Sequence, residues 1–347
     1  MPTTRTECSE LSVAFGILHL DPLLTYDQRQ ITESFEGTLA PAKYTAFRGE
    51  YPTHPLYARM YNVGSSLQAT YAHFAHVTTL RWTGPQQQAA TTTAARDLSV
   101  ANIPVSVKAG SHVVANLSPF NLIQNVPRGL APASNEENWY LVRDPAGFQA
   151  LYTYVRSSDP RLAYLSPSVS RFENDASEAD RDLVQSVITS YDATRRSQFM
   201  AAYVPLCHTV ATNSAAIFYQ NIQASLAGTS RTSVLEYIAK WFFRMNATSY
   251  VLCGIDARRG FAVRVPDLTE WSRHWRIQAI AASPDLSRRQ SVVLIDLTVE
   301  DRSSGNRLPL RFHAELRWSH GKFCGNPEAK FYKHFFWRDL PFFEILV

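Results

Sequence analysis

Apolar residues recur at helical spacing after Pro55, through Leu56, Met60, Val63, Leu67, Tyr71 and Phe74, which predicts a helix entered at the proline. Gly64 and the Ser65-Ser66 pair are unusual inside a helix and predict close packing against another backbone, that of the following sheet. A further helix is expected over residues 26–39, capped by Thr25 or Asp27, and a strand over 77–82, stopped by Gly84-Pro85. Helical patterns fill residues 135–165, with a start signal at Asp144-Pro145. They resume over 176–226, with a break near Pro205, and over 232–245. From residue 250 the period changes to two. Residues 250–255 and 260–265 read as a hairpin, and 275–281, 291–300 and 308–318 as antiparallel strands, the last two joined by a turn over 301–306.

Between the first helices and the helical middle lies a hairpin pattern over residues 96–111, with its turn at Ala101-Asn102 and an extension of its second strand over 111–115. The order of elements predicts an α+β protein. It would hold a mixed sheet flanked by helices over residues 1–130, a helical region over 131–246 and a β-rich C-terminal region over 247–347.

Composition narrows the class only modestly. The 347 residues can bury a sizeable core, and their 45% hydrophobic and 18% charged content is that of an ordinary globular chain. A net charge of +4 permits a nucleic-acid partner without requiring one. Cys8, Cys207, Cys253 and Cys324 are too scattered for a zinc site or a disulfide framework, and reduced thiols are expected. The first residues lack the signature of a signal peptide, and no apolar run is long enough to cross a membrane, so the expected location is cytoplasmic.

Asp97 falls on the first strand of the hairpin, and Ser106 and Lys108 fall two apart on the second, so both point to one face. An acid facing a lysine across a hairpin is suited to phosphodiester hydrolysis. That chemistry needs a carboxylate-held divalent metal to polarise the phosphate, and a cation to orient water or offset growing charge. The stretch resembles the PD-(D/E)xK nuclease superfamily, which includes many restriction endonucleases. The family places an acid on one strand and an acid-x-lysine on the next, and Asp97 and Lys108 match it. Ser106 stands where the family usually has Asp or Glu, which implies an acid supplied from a nearby element. Glu33 and Glu36, three apart on one predicted helix, are candidates for it. The helix after Pro55 resembles the one that precedes the family's hairpin, with Gln68 where glutamate is common.

The resemblance implies a Mg²⁺-dependent endonuclease acting on DNA, of restriction or defence type. Asp97, with Glu33 or Glu36, would be the metal ligand, and Lys108, Ser106 and Gln68 would complete the catalytic set. A homodimer would suit a symmetric DNA site. Nucleic-acid contacts are expected from Ser111 and His112, just past the lysine. They are also expected from the interleaved cations and aromatics near the C-terminus, namely Arg317, His320, Lys322, Lys330 and Lys333. A second acid hairpin, Asp296 with Glu315-Leu316-Arg317, ranks behind the first because arginine does not serve as a base. The alternative to a nuclease is a non-catalytic nucleic-acid-binding or interaction protein on a degenerate core of the same kind.

Overall fold

The chain opens with four helices, α1 (Thr4–Ile17), α2 (Gln28–Ser34), α3 (Pro41–Glu50) and α4 (Pro55–Thr70), in a computed structural model. It describes residues 4–84, 96–110, 112–134, 137–227, 231–256, 259–318, 325 and 327–347. Asp27 caps α2 by accepting from the Gln30 amide, and prolines at the first turns of α3 and α4 cost no internal hydrogen bond. Helix α2 is shorter than expected because Glu36 (φ 45°) and Gly37 (φ 72°) leave the right-handed region. Helix α1 has no counterpart in the pattern of apolar positions. It is buried on most sides, with Ser9, Glu10 and Ser12 inside, and so lacks an amphipathic stripe. Gly64 does meet another backbone, but that of α1: a Cβ at Gly64 would lie 2.1 Å from the Val13 carbonyl, and one at Gly16 2.1 Å from that of Tyr61.

Strands β1 (Leu80–Trp82), β2 (Leu98–Val100) and β3 (Ile103–Ala109) form an antiparallel meander. Ala101 (φ 47°) and Asn102 (φ 66°) make the two-residue turn whose twist matches a tight hairpin. After Gly110 (φ 76°) the chain turns away. Strand β4 (Val113–Leu117) does not extend β3 but joins a second sheet.

The helical middle comprises α5 (Trp139–Arg143), α6 (Pro145–Ser157), α7 (Val169–Asp175), α8 (Glu178–Thr189), α9 (Ala193–Ala227) and α10 (Arg231–Phe242). Ser177 and Asp180 form a reciprocal capping box at α8. The break expected at Pro205 is absent, since α9 continues through the proline. Among the described residues no helix is long and apolar enough to cross a membrane.

Strands β5 (Tyr250–Asp256) and β6 (Arg259–Val265) return to the first sheet, and α11 (Leu268–His274) follows. Strands β7 (Trp275–Pro284), β8 (Ser291–Asp301), β9 (Arg307–Trp318) and β10 (Pro327–Lys333) then build the second sheet, and β11 (Glu344–Ile345) ends the first. The first sheet runs β1-β2-β3-β5-β6-β11 and is mixed, because β5 lies parallel to β3; the second runs β4-β10-β9-β8-β7. Residues on both sides of position 247 therefore share the first sheet. That sheet separates two cores. Val105, Val107, Val251 and Cys253 face helices α1–α4, while Leu252, Phe261 and Val263 join the helical middle and the second sheet.

Candidate active site

The meander fixes where the hairpin's polar residues point. Leu98 pairs with Val105, and the Asp97 amide donates to the Val105 carbonyl at 3.0 Å, so the register carries Asp97 opposite Ser106. Residues paired across strands share a face, and Lys108 shares the face of Ser106 by alternation. The buried carboxylate of Asp97 accepts, at Oδ2, from the Val107 amide at 2.6 Å and from Ser106 Oγ at 3.3 Å. Ser106 is wholly buried and helps orient Asp97. Beyond Lys108, the parallel partner is Gly254 (φ 153°), where a Cβ would fall 1.9 Å from the Lys108 carbonyl. Glycine at that position lets β5 close against the lysine.

Helix α1 carries a second buried acid. Glu10 is 3% exposed, and its Oε2 accepts from Trp82 Nε1 at 2.8 Å. Burial, and then the neighbouring charge of Asp97, push its carboxyl up to about 7, against the pull of the Trp82 hydrogen bond and of Lys108. Burial and the nearby Arg244 cation bring the Lys108 amine down to about 8, opposed by Asp97, Glu10 and Cys253. A cavity of about 330 Å³ opens beside Glu10 and Lys108, lined by Thr6, Ser9, Asn116 and Arg244 among others; Asp97 is not in its lining. Arg244 follows α10 with a left-handed backbone (φ 57°). Its Nη1 donates to the Val114 carbonyl at 2.5 Å, and Tyr250 Oη donates to the Arg244 carbonyl at 2.9 Å.

Magnesium favours hard oxygens, retains several waters and is commonly held by one or two carboxylates plus substrate phosphate. Glu10 and Asp97 match that donor set in kind and number. Each leaves one carboxylate oxygen without a hydrogen bond among the described residues. No group of three or more His, Cys, Asp or Glu side chains is gathered as a metal site among those residues.

The other expected residues lie elsewhere. Both ends of the Gln68 amide are engaged, Oε1 with His19 Nε2 at 2.6 Å and Nε2 with the Ala75 carbonyl at 3.1 Å. Glu33 is exposed and paired with Arg29 at 2.7 Å. Glu36 lies outside α2 and binds Thr79 Oγ1 at 3.1 Å, in a cleft shared with Ala101 and Asn102. That is the turn end of the hairpin, roughly 20 Å along β3 from Lys108 at strand rise. Neither acid is therefore the one that joins Asp97. Ser111, His320 and Lys322 lie outside the described residues. His112 is exposed, 3.8 Å from Asp256. Arg317 pairs with Glu328 at 3.2 Å and Glu315 at 3.6 Å, and Lys330 with Glu328 at 3.6 Å. Lys333 is 3% exposed, pairs with buried Asp256 at 3.1 Å and donates to the Phe335 carbonyl, so it is not free to meet a phosphate. In the rival hairpin Asp296 is bound by Arg311 at 2.7 Å, and the strand register sets Val292, not Asp296, opposite Glu315.

Glu10 and Arg244 were not among the expected residues. The available signal was a lone charge in an uncharged run: Glu10 within Cys8-Ser9-Glu10-Leu11-Ser12-Val13, and Arg244 within Trp241-Phe242-Phe243-Arg244-Met245. Such charges are seldom fully buried without a partner or a role. No family model matches the chain, and comparison with curated proteins and with solved structures likewise finds no match.

Proposed function

We propose that this protein is a Mg²⁺-dependent nuclease with a PD-(D/E)xK-like, restriction-endonuclease-like core that hydrolyses phosphodiester bonds in DNA, in a restriction or defence role and as a homodimer. The observation that carries the reading is Glu10, which comes from a separate helix, lines one cavity with Lys108 and feels the charge of Asp97. It supplies the second acid that Ser106 does not. The mixed sheet with helices α1 and α4 against its first face supports the same reading.

Glu10 and Asp97 would hold the magnesium, which when bound would supply polarisation of the phosphoryl group and a more acidic water. The chain's own residues do the rest. Trp82 Nε1 and the Val107 amide fix the two carboxylates, each through one oxygen. Lys108, which lines the same cavity as Glu10, orients the attacking water and offsets charge developing on the phosphate.

The test is incubation of plasmid DNA with the protein, with Mg²⁺ or with EDTA, alongside Lys108→Ala and Glu10→Gln. Cleavage is expected only with metal, and each variant should lose about a hundredfold or more in rate. Absence of cleavage by the parent, or equal cleavage by parent and Lys108→Ala, overturns the reading. DNA retention without cleavage would point to the non-catalytic alternative.

A further inference from the structure

Arg244 is placed at a cost that the fold alone does not repay. It is 9% exposed and adopts a left-handed backbone that favours glycine or asparagine. Its Nε is buried without a hydrogen-bond partner, and among the described residues no carboxylate forms an ion pair with it. A second cation, Lys108, lines the same cavity, and Arg244 disfavours its charge. Glu10 and Asp97 offset the charge of Lys108, but Arg244 has no such ion pair among the described residues, and a buried, unpaired cation is costly unless an anion joins it. The guanidinium is nevertheless held in place. Nη1 is tied to Val114 on β4, and Tyr250 on β5 grips the Arg244 carbonyl, so both sheets set its position.

We infer that Arg244 and Lys108 form a phosphate pocket in this cavity, with the guanidinium N–H groups of Arg244 that Val114 does not take donating to the phosphate oxygens. Guanidinium donors in a planar fork match phosphate geometry, and a preset fork loses little entropy on binding. The cavity, at about 330 Å³, admits a phosphate group with part of an attached sugar. Asn116 and Ser9 add polar groups to its wall. The ligand class is a phosphate mono- or diester, and the assignment rests on the nuclease reading only for its choice of a nucleic-acid strand as the source. On that reading Arg244 is a substrate-binding residue that seats the phosphate against Glu10, Asp97 and Lys108.

The experiment measures binding in EDTA, so that no strand is cut. Inorganic phosphate is titrated by calorimetry, and a short DNA oligonucleotide by fluorescence anisotropy. The proteins are the full chain, Arg244→Met, Arg244→Lys and Lys108→Met. Phosphate should bind the parent and compete with the oligonucleotide. Arg244→Met and Lys108→Met should each weaken phosphate binding at least tenfold, and Arg244→Lys several-fold through loss of the fork. Phosphate binding that is absent in the parent, or equal in parent and Arg244→Met, overturns the pocket. Should Arg244→Met fail to fold, Arg244→Lys decides, with unchanged phosphate affinity as the overturning result. A parent that binds phosphate through Arg244 but never cleaves DNA keeps the pocket and removes the nuclease reading. Mg²⁺-dependent cleavage that Arg244→Met leaves untouched does the reverse. Phosphate that binds without displacing the oligonucleotide assigns the pocket to a small phosphate ester and overturns the strand as its source.

Discussion

Glu10 shows how one side chain can be chemically legible and positionally invisible. An acid in a run of small and apolar residues signals a buried charge, but its partners lie some 70 to 100 residues away at Trp82, Asp97 and Lys108. Its folded carboxyl sits near 7 against 4.5 in an ordinary setting. The folded state therefore holds a proton that the unfolded chain releases across that window. Stability attributable to Glu10 is present below about pH 4.5 and is lost as pH rises through about 7, an effect on the order of 3 kcal/mol. Glu10→Gln keeps an acceptor for Trp82 and removes the charge. In EDTA its urea-unfolding free energy should therefore decline less between pH 5 and pH 8 than the parent's. Parallel curves for the two proteins would show that Glu10 is not buried as a charge. Ser106 is the complementary case, because its hydroxyl orients Asp97 where an acid was expected.

At the scale of elements, the α1–α4 crossing controls where Glu10 stands. Gly16 and Gly64 bring the two backbones together, and an added Cβ on either meets a carbonyl oxygen that no side-chain rotation can move. Gly16→Ala and Gly64→Ala should each cost about 3 kcal/mol through forced separation of the helices. DNA cleavage should fall further than the lost stability explains, because α1 carries Glu10. Gly49→Ala on α3 meets nothing within 4 Å and should be neutral or stabilise by about 0.5–1 kcal/mol. Thermal unfolding of the three variants checks this, and equal effects at all three positions would refute the crossing as the cause. The helix after Pro55 and the hairpin at Ala101-Asn102 were readable because their signals are local: apolar period, proline entry and turn chemistry. The uninterrupted α9 was not readable, because packing of a long helix against β7 and β8 outweighs the hydrogen bond missing at Pro205.

Across the whole molecule, the two sheets meet at a buried ion pair. Asp256 ends β5 in the first sheet and Lys333 ends β10 in the second, with the lysine amine 5.1 Å from the Trp337 ring centre. Removing either partner strands the other in a poorly solvated place. Lys333→Met and Asp256→Asn should each cost about 3–5 kcal/mol, and the double variant far less than their sum. Denaturant midpoints of the four proteins test this, and additive losses would show that the pair does not couple the sheets. The same seam removes Lys333 from the basic segment expected to meet nucleic acid, where its spacing among aromatics gave no hint of an acid partner 77 residues earlier.

What the sequence by itself determined is local. Side-chain period set the strands, Ala101-Asn102 set the turn, and together they put Asp97, Ser106 and Lys108 on one face, because alternation and register follow from backbone geometry alone. Only the tertiary structure decided which distant groups gather at Lys108. The parallel pairing of β3 with β5, and the close crossing of α1 on α4, brought Glu10 and Arg244 to the cavity that Lys108 lines and left Gln68, Glu33 and Glu36 elsewhere. The reason is physical. Contacts between elements are chosen by shared burial of apolar faces, and a charged residue travels with its element to wherever that burial places it.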